Sequence, residues 1–238
     1  EYDCNFMMET NYEYSKTLLH FCLDRRIPFL YASSASTYGS GKNGFIEGDQ
    51  CEDALNIYAF SKLAFDRYVR QMLPEAKSQV VGLKYFNVYG PQEHHKGKMA
   101  SIVYQLYNQM KMNGYVKLFK GIDGYADGEQ LRDFVYVKDL VKVNLWFWKN
   151  SAPSGIYNCG TGKAHTFKAV AETIIAHFNK GRIEYIDFPE VLKGKYQNYT
   201  QADLAKLEAA GYDGGFYSLE DAVREYCEFL DAGGYFTR

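Results

Sequence analysis

The sequence predicts an α/β protein built on a largely parallel sheet covered by helices. Three observations carry this expectation. Strand-length apolar runs alternate with segments of helical periodicity along most of the chain. One run, "QVVGLKYFNV", is too apolar to keep a wet face, as expected of a strand buried on both sides. The length of 238 residues, 47% of them hydrophobic, suits one large α/β domain or a domain with a smaller lobe.

The chain opens at Glu1, with no initiator methionine, and enters a helix at once. Within "MMETNYEYSKTLLHFCLDRR", Met8, Tyr12, Ser15, Leu19 and Leu23 recur at helical spacing. The strand "IPFLYAS" follows. An α/β protein that begins on a helix is expected to have lost its opening strands, so the chain reads as a fragment. A loop then leads to a helix through "IYAFSKLAFDRYVRQML", stopped by Pro74, and to the buried strand "QVVGLKYFNV". Next are a helix near 99–113 ending at Gly114, the short strand "VKLF", and a glycine-rich excursion at 121–130. Strand "DFVYV" precedes "LVKVNLWFWKN", a helix with a broad apolar face and Asp139 near its N-terminus. The alternation closes with strand "GIYNCG", a helix after Thr166, strand "RIEYIDF", and helices near 202–210 and 218–231. A second lobe is expected to begin near residues 90–115.

Composition narrows the function. A net charge of −2 gives no electrostatic footprint for nucleic acid or an anionic membrane. The five cysteines (Cys4, Cys22, Cys51, Cys159, Cys227) are odd in number, widely spaced and without C-x-x-C. Free thiols in a reducing compartment are expected, with no disulfide framework and no zinc site. No signal-peptide pattern opens the chain and no apolar run approaches about 18 residues, so the expectation is a cytosolic protein.

Residues 38–44, "YGSGKNG", spell G-x-G-x-x-G with Gly39, Gly41 and Gly44. A dinucleotide fingerprint needs a helix N-terminus directly after the glycines to hold the pyrophosphate. Here "FIEGDQCEDALN" follows, polar and turn-rich, and no acidic residue closes a next strand. A surface loop after a strand is expected instead.

Tyr58 and Lys62 in "NIYAFSK" lie four apart on one helical face. A nearby ammonium favours the phenolate and can hydrogen-bond a cofactor ribose, which makes such a tyrosine a usable acid/base. The spacing alone is cheap, since Tyr12/Lys16, Tyr38/Lys42 and Tyr107/Lys111 repeat it. Context sets the first pair apart. The run "PFLYASSASTYG" should deliver its serines at a strand's carboxyl end, where open α/β sheets place ligands. Ser34 there can hydrogen-bond the substrate oxygen on which Tyr58 acts, or simply cap the turn. His94 and His95 are adjacent but lack a carboxylate cluster, so no metal is expected.

"YASSASTYG", "YAFSK", "KYFNVYGP", "RDFVYVKD" and "YNCGTG", in that order, resemble the extended short-chain dehydrogenase/reductase family of nucleotide-sugar epimerases and dehydratases. The resemblance runs from residue 7 to near the C-terminus. It implies a Rossmann-type doubly wound parallel sheet with a smaller α/β substrate lobe. Residues 1–90 would be the later part of the cofactor domain, with about 133–160 returning to it, and 91–238 mainly the substrate lobe. It implies Ser34, Tyr58 and Lys62 as the catalytic group, and a strand–glycine loop–helix for the pyrophosphate ahead of residue 1. Dehydratases of the family carry an acidic pair where this chain has Ala35 and Ser36, so dehydration is disfavoured.

The stretch "NVYGPQEHHKGKMAS", with "MMETNYEYSK", "NIYAFSKLAFDRYVRQ" and "LKGKYQNYTQADL", is similar to the ADP-L-glycero-D-manno-heptose 6-epimerases. That likeness implies Lys96 as a second acid/base; by itself Lys96 reads as a solvated loop lysine, and the catalytic role is expected to require some burial to lower its pKa. It further implies NADP as cofactor, an ADP-heptose substrate on the way to bacterial lipopolysaccharide, a cytoplasmic setting, and a homo-oligomer of the pentameric kind described for the family. Implied cofactor contacts are Tyr58, Lys62, Val88 and Lys96, with Thr10 and Asn11 both at the place of a cofactor-binding Asn. Implied substrate contacts are Ser34, Asn87, Phe119, Lys120, Gly121, Ile122, Arg132 and Tyr196, with Arg132 suited to a diphosphate or else to a structural pair with Asp133. Lys98 and Gln105 occupy substrate positions but depart from the expected Ser and His, and "GIDGYADGEQL" looks longer than usual. The alternatives are another NAD(P)-dependent nucleotide-sugar epimerase or reductase, and a non-catalytic cofactor-binding module. Retention of Ser34, Tyr58 and Lys62 argues against the module.

Overall fold

The computed structural model describes residues 3–190 and 197–235. Helices α1 (Cys4–Met8) and α2 (Tyr14–Asp24) are joined by a π-helical turn, Glu9–Glu13, and lead into β1 (Phe29–Ser34). A 3-10 turn, Ala35–Tyr38, and a long loop precede α3 (Ile57–Met72), followed by β2 (Val80–Tyr85) and β3 (Asn87–Tyr89). The 3-10 segment His94–Met99 leads to α4 (Ile102–Asn113) and β4 (Val116–Phe119). Next are β5 (Leu131–Arg132), β6 (Phe134–Tyr136), α5 (Val137–Lys149) and β7 (Gly155–Cys159). Last are β8 (His165–Thr166), α6 (Phe167–Phe178), β9 (Ile183–Ile186), α7 (Ala205–Ala209) and α8 (Leu219–Asp231). The predicted strand–helix alternation is present. Among the described residues no helix is long and apolar enough to cross a membrane.

The chain divides into two compact units. The first comprises Glu1–Phe86, Val141–Cys159 and Ala202–Gly214. Its sheet runs β1-β2-β7, and both ladders are parallel. β7 is buried throughout and β2 over Val80–Lys84, which is why these strands read as apolar runs. Ser34 pairs with Tyr85, and Tyr85 with Cys159, so Ser34 stands at the carboxyl edge of the sheet. Leu19 of α2, Phe65 and Val69 of α3, and Val80 of β2 form one buried cluster. α3 starts where Asn56 caps it, accepting from Ala59 N at 2.9 Å, and this fixes the helical phase of Tyr58 and Lys62.

One expectation is corrected here. The opening helix is not continuous: it widens into the π-turn at Glu9–Glu13. Thr10 Oγ1 donates back to Phe6 O at 2.6 Å, and Asn11 Nδ2 reaches across to Ser61 Oγ of α3 at 3.0 Å. Periodicity of apolar residues cannot register one extra residue inserted into a turn, and such bulges gather at functional sites.

The second unit comprises Asn87–Leu140, Gly160–Gln201 and Gly215–Arg238. It holds the parallel pairs β3-β6 and β4-β9 and the antiparallel pair β5-β8. Its core joins Val103, Leu106 and Met110 of α4 to Val170 and Ile174 of α6 and Val223 and Tyr226 of α8. The single predicted strand "QVVGLKYFNV" is split. Phe86 N donates to Cys159 O at 3.2 Å, whereas Asn87 N donates to Asp133 O at 3.0 Å, so pairing partners change within one peptide step.

Candidate active site

In the first unit, the capped helix α3 presents Tyr58 and Lys62 toward β1. Lys62 Nζ donates to Ala32 O at 3.0 Å and lies 6.0 Å from the centroid of the Tyr58 ring. Burial lowers the pKa of this ammonium, and the Asp66 carboxylate one turn on partly offsets the shift. Ser34, two residues beyond Ala32, accepts from Ser36 N at 3.2 Å and Ser36 Oγ at 2.9 Å. It therefore caps the 3-10 turn, and its own O–H remains a donor. Asn11 joins this group through Ser61, whose Oγ in turn donates to Tyr58 O at 2.7 Å. Thr10 does not join it, since its hydroxyl is committed to Phe6 O.

The donor set fits one part of a nicotinamide dinucleotide. An ammonium offers three donors, and Lys62 spends one on Ala32 O, leaving N–H groups suited to ribose hydroxyls. The glycines at 39–44 do not fit the pyrophosphate. Gly39 has φ +60°, and a Cβ there would lie 1.8 Å from Asp53 O, so this glycine serves a close backbone approach. No helix begins until Ile57, which leaves no helix N-terminus beside the glycines. Asn158 at the end of β7 holds the loop instead. It accepts from Tyr38 OH at 2.6 Å and donates through Nδ2 to Phe45 O at 2.6 Å and Asp203 O at 3.0 Å.

Beneath this group lies a buried charge network that the motifs did not announce. Lys84 of β2, fully buried, uses all three ammonium donors: Thr37 Oγ1 at 2.7 Å, Asp66 Oδ2 at 2.6 Å and Glu52 Oε1 at 3.0 Å. Asp66 of α3 also accepts from Ser33 Oγ at 2.6 Å and Tyr31 OH at 2.9 Å. Arg70 grips Glu52 with two bonds of 2.8 and 2.5 Å. Burial raises the Glu52 carboxyl, but Arg70 and Lys84 outweigh burial and hold it below the usual range. The faint signals in the sequence were a lysine inside an apolar strand and an aspartate four residues after Lys62.

In the second unit, Gln105 and Phe119 line a cavity of about 310 Å³ together with Ile102, Leu118, Phe167 and Ile186. Lys120 is exposed and paired with Asp187 at 2.7 Å, which raises its pKa. Gly121 N donates to Asp127 Oδ1 at 2.8 Å, and Ile122 O accepts from Tyr125 N at 3.1 Å, so these two shape the turn after β4. Arg132 is buried, donates to Leu131 O at 2.8 Å, and lies 5.6 Å from the Phe167 ring centroid. The neighbouring Asp133 carboxylate accepts from Thr161 N at 2.7 Å and Gly162 N at 3.0 Å. Asn87 and Val88 lie on β3, with Thr200 Oγ1 3.4 Å from Asn87 Oδ1. Lys96 and Lys98 are exposed on the 3-10 segment His94–Met99, so the burial expected of a catalytic Lys96 is not found in this structure. Tyr196 lies outside the described residues. His94 stacks edge-on with Tyr235 at 4.3 Å, and among the described residues no three His, Cys, Asp or Glu side chains gather as metal ligands.

Comparison with known proteins gives the family and the fold. Residues 3–160 match the model of the NAD dependent epimerase/dehydratase family. The structure of ADP-L-glycero-D-manno-heptose-6-epimerase from Helicobacter pylori is similar at 33% identity and a TM-score of 0.85, covering 97% of this chain and 68% of that one. UDP-N-acetylglucosamine 4-epimerase from Methanobrevibacter ruminantium shares the fold at 21% identity and a TM-score of 0.81, over 94% of this chain and 70% of that one. UDP-glucose 4-epimerase from Thermus thermophilus, solved with NAD, shares it at 24% identity and a TM-score of 0.75, over 94% and 70% of the two chains. By family match and by fold, this chain belongs to the NAD dependent epimerase/dehydratase family.

Proposed function

We propose that this chain belongs to an NADP-using 6-epimerase that converts ADP-D-glycero-D-manno-heptose to ADP-L-glycero-D-manno-heptose, a precursor of bacterial lipopolysaccharide. The observation that carries this reading is the 33% identity, over 97% of the chain, with the Helicobacter pylori enzyme of that name. The first unit is proposed as the cofactor domain and the second as the substrate lobe, in a homo-oligomer of the bacterial cytoplasm.

Inverting C6 requires loss of hydride from an unactivated carbon, a 6-keto sugar, and return of hydride to the opposite face. The nicotinamide, when bound, takes up and returns that hydride, so the net reaction is redox-neutral. The chain's own residues handle protons and position. Tyr58 accepts the proton of the C6 hydroxyl, Lys62 favours its phenolate and binds ribose hydroxyls, and Ser34 donates to the same substrate oxygen. Rotation about the exocyclic bond turns the other face of the ketone to the hydride and carries its oxygen away from Tyr58. Lys96 then supplies the proton there. Asn11, rather than Thr10, with Val88 and Lys96 are the remaining cofactor contacts in this reading. Arg132 pairs the diphosphate, the cavity with Phe119 and Gln105 takes the adenine, and Asn87, Lys98, Lys120, Gly121, Ile122 and Tyr196 complete the substrate contacts.

The test is to incubate the full-length protein, loaded with NADP, with ADP-D-glycero-D-manno-heptose in D2O. The C6 epimer should form without deuterium at C6, because hydride returns from the cofactor. Absence of interconversion would overturn the substrate assignment, and deuterium at C6 would overturn the hydride mechanism. Turnover of UDP-glucose alone would move the protein to the 4-epimerases.

A further inference from the structure

We infer that Gln105 is a positioning residue, clasping the segment that carries Lys96 and coupling its order to the ligand in the adjacent cavity. This rests on the roles proposed above for Lys96 and for the cavity. Residues 94–99 are all exposed, and a Cβ at Gly97 (φ +55°) would meet nothing within 4 Å, so packing does little to hold the segment. Backbone bonds tie it to its ends: Lys96 N to Glu93 O at 3.0 Å and Ala100 N to Gly97 O at 3.2 Å. Beyond the edge-on contact of His94 with Tyr235 at 4.3 Å, the segment is held at its two ends.

The neck is closed by Glu93, which is 4% exposed. Its carboxylate accepts from Ser101 N and Ser101 Oγ at 2.6 Å each, from Tyr226 OH at 3.0 Å and from Gly90 N at 3.4 Å. The far side is held by Gln105, in the first turn of α4. Its Nε2 donates to Lys98 O at 3.2 Å and to Ala100 O at 2.8 Å. Two facing carbonyls assign the nitrogen to this side and use both of its hydrogens. The same side chain lines the cavity with Phe119. Oε1 is left as its acceptor, and an N–H of a ligand bonded there would polarise the amide and strengthen both donated bonds. An adenine, with its exocyclic amine, carries such a donor. The clasp thus gives a chemical reason for glutamine at this position.

Limited trypsin digestion, with the first cuts mapped by mass spectrometry, reads the clasp directly. Cleavage after Lys96 and Lys98 should be roughly tenfold faster in Gln105→Met, which removes both donors. Gln105→Glu should be cut faster still, since its carboxylate faces two carbonyls. Cleavage after Lys42, exposed in the first unit, should not change. ADP should slow the cuts at Lys96 and Lys98 in the wild type and not in either variant. Equal acceleration at Lys42, unchanged cleavage at Lys96 and Lys98, or ADP protection that survives Gln105→Met would overturn the inference. In turnover, Gln105→Met should raise KM through the lost bond to the ligand and also lower kcat, and should lower kcat no further in a Lys96→Ala background. Multiplicative losses would show that Gln105 does not act through Lys96. If the wild type turns over no ADP-heptose, the functional reading fails, while the cleavage pattern still decides the clasp.

Discussion

Asp66 of α3 and Lys84 of β2, 18 positions apart, meet at 2.6 Å with both side chains fully buried. The pair ties the helix bearing Tyr58 and Lys62 to the strand next to β1, and Asp66 holds Ser33, the neighbour of Ser34, at 2.6 Å. It therefore sets the rotation of the proposed acid/base residues against the end of the sheet. Asp66→Asn would leave Lys84 buried with a weakened partner, at a cost of about 3–5 kcal/mol. For a chain of this size that is a fall in melting temperature of roughly 10 °C. A thermal melt within about 2 °C of wild type would show that the network is not needed for stability.

Tyr58→Phe removes one oxygen at a half-buried position and leaves the α3 packing residues untouched. Its melting temperature should match the wild type, while epimerisation should fall by at least about a hundredfold. Near-normal turnover would remove Tyr58 from the chemistry.

Lys96→Ala separates two kinds of epimerase. With a second acid/base at Lys96, the variant should still oxidise C6 but fail to complete inversion, again a loss of about a hundredfold or more. Single-turnover absorbance at 340 nm, roughly the reduced-nicotinamide band, should therefore persist in the variant. Unaffected inversion would return the protein to the single-base epimerases.

Glu52 makes the stability depend on acid. Burial pushes its carboxyl up, but Arg70 and Lys84 outweigh burial, so the folded value lies below the unfolded one. The unfolded chain thus binds this proton more tightly. The contribution is whole above the unfolded value of about 4.3 and is lost as pH falls through the lower folded value. Melting temperature should fall over that acidic window more steeply in the wild type than in Glu52→Gln. Parallel curves would show that Glu52 carries no such linkage.

Several features were readable because they are local. The Asn56 cap, the four-residue spacing of Tyr58 and Lys62, and the stop at Pro74 all lie within a few residues of what they control. The failure of Gly39, Gly41 and Gly44 as a phosphate cradle was readable for the same reason, since no helix follows them. The position of Ser34 was readable once its run was taken as a strand, because a strand's carboxyl end in an open sheet is a known place for ligands.

Other features depended on distant partners. Asn11 met Ser61 across 50 positions and marked a π-turn where periodicity promised an unbroken helix. Glu93 carried no signal of its own in the sequence, yet it is buried and accepts from Tyr226, 133 positions away. Gln105 read only as a departure at a substrate position, until its amide was found on Lys98 O and Ala100 O.

By itself the sequence determined the order and type of the main helices and strands and the residues with chemistry to offer, because caps, periodicity and turn residues act over a few positions. Only the tertiary structure decided which buried charges meet, where the long strand changes partners, and what holds the Lys96 segment. Those outcomes follow from strand register and from packing between elements far apart in the chain, and no local pattern encodes them.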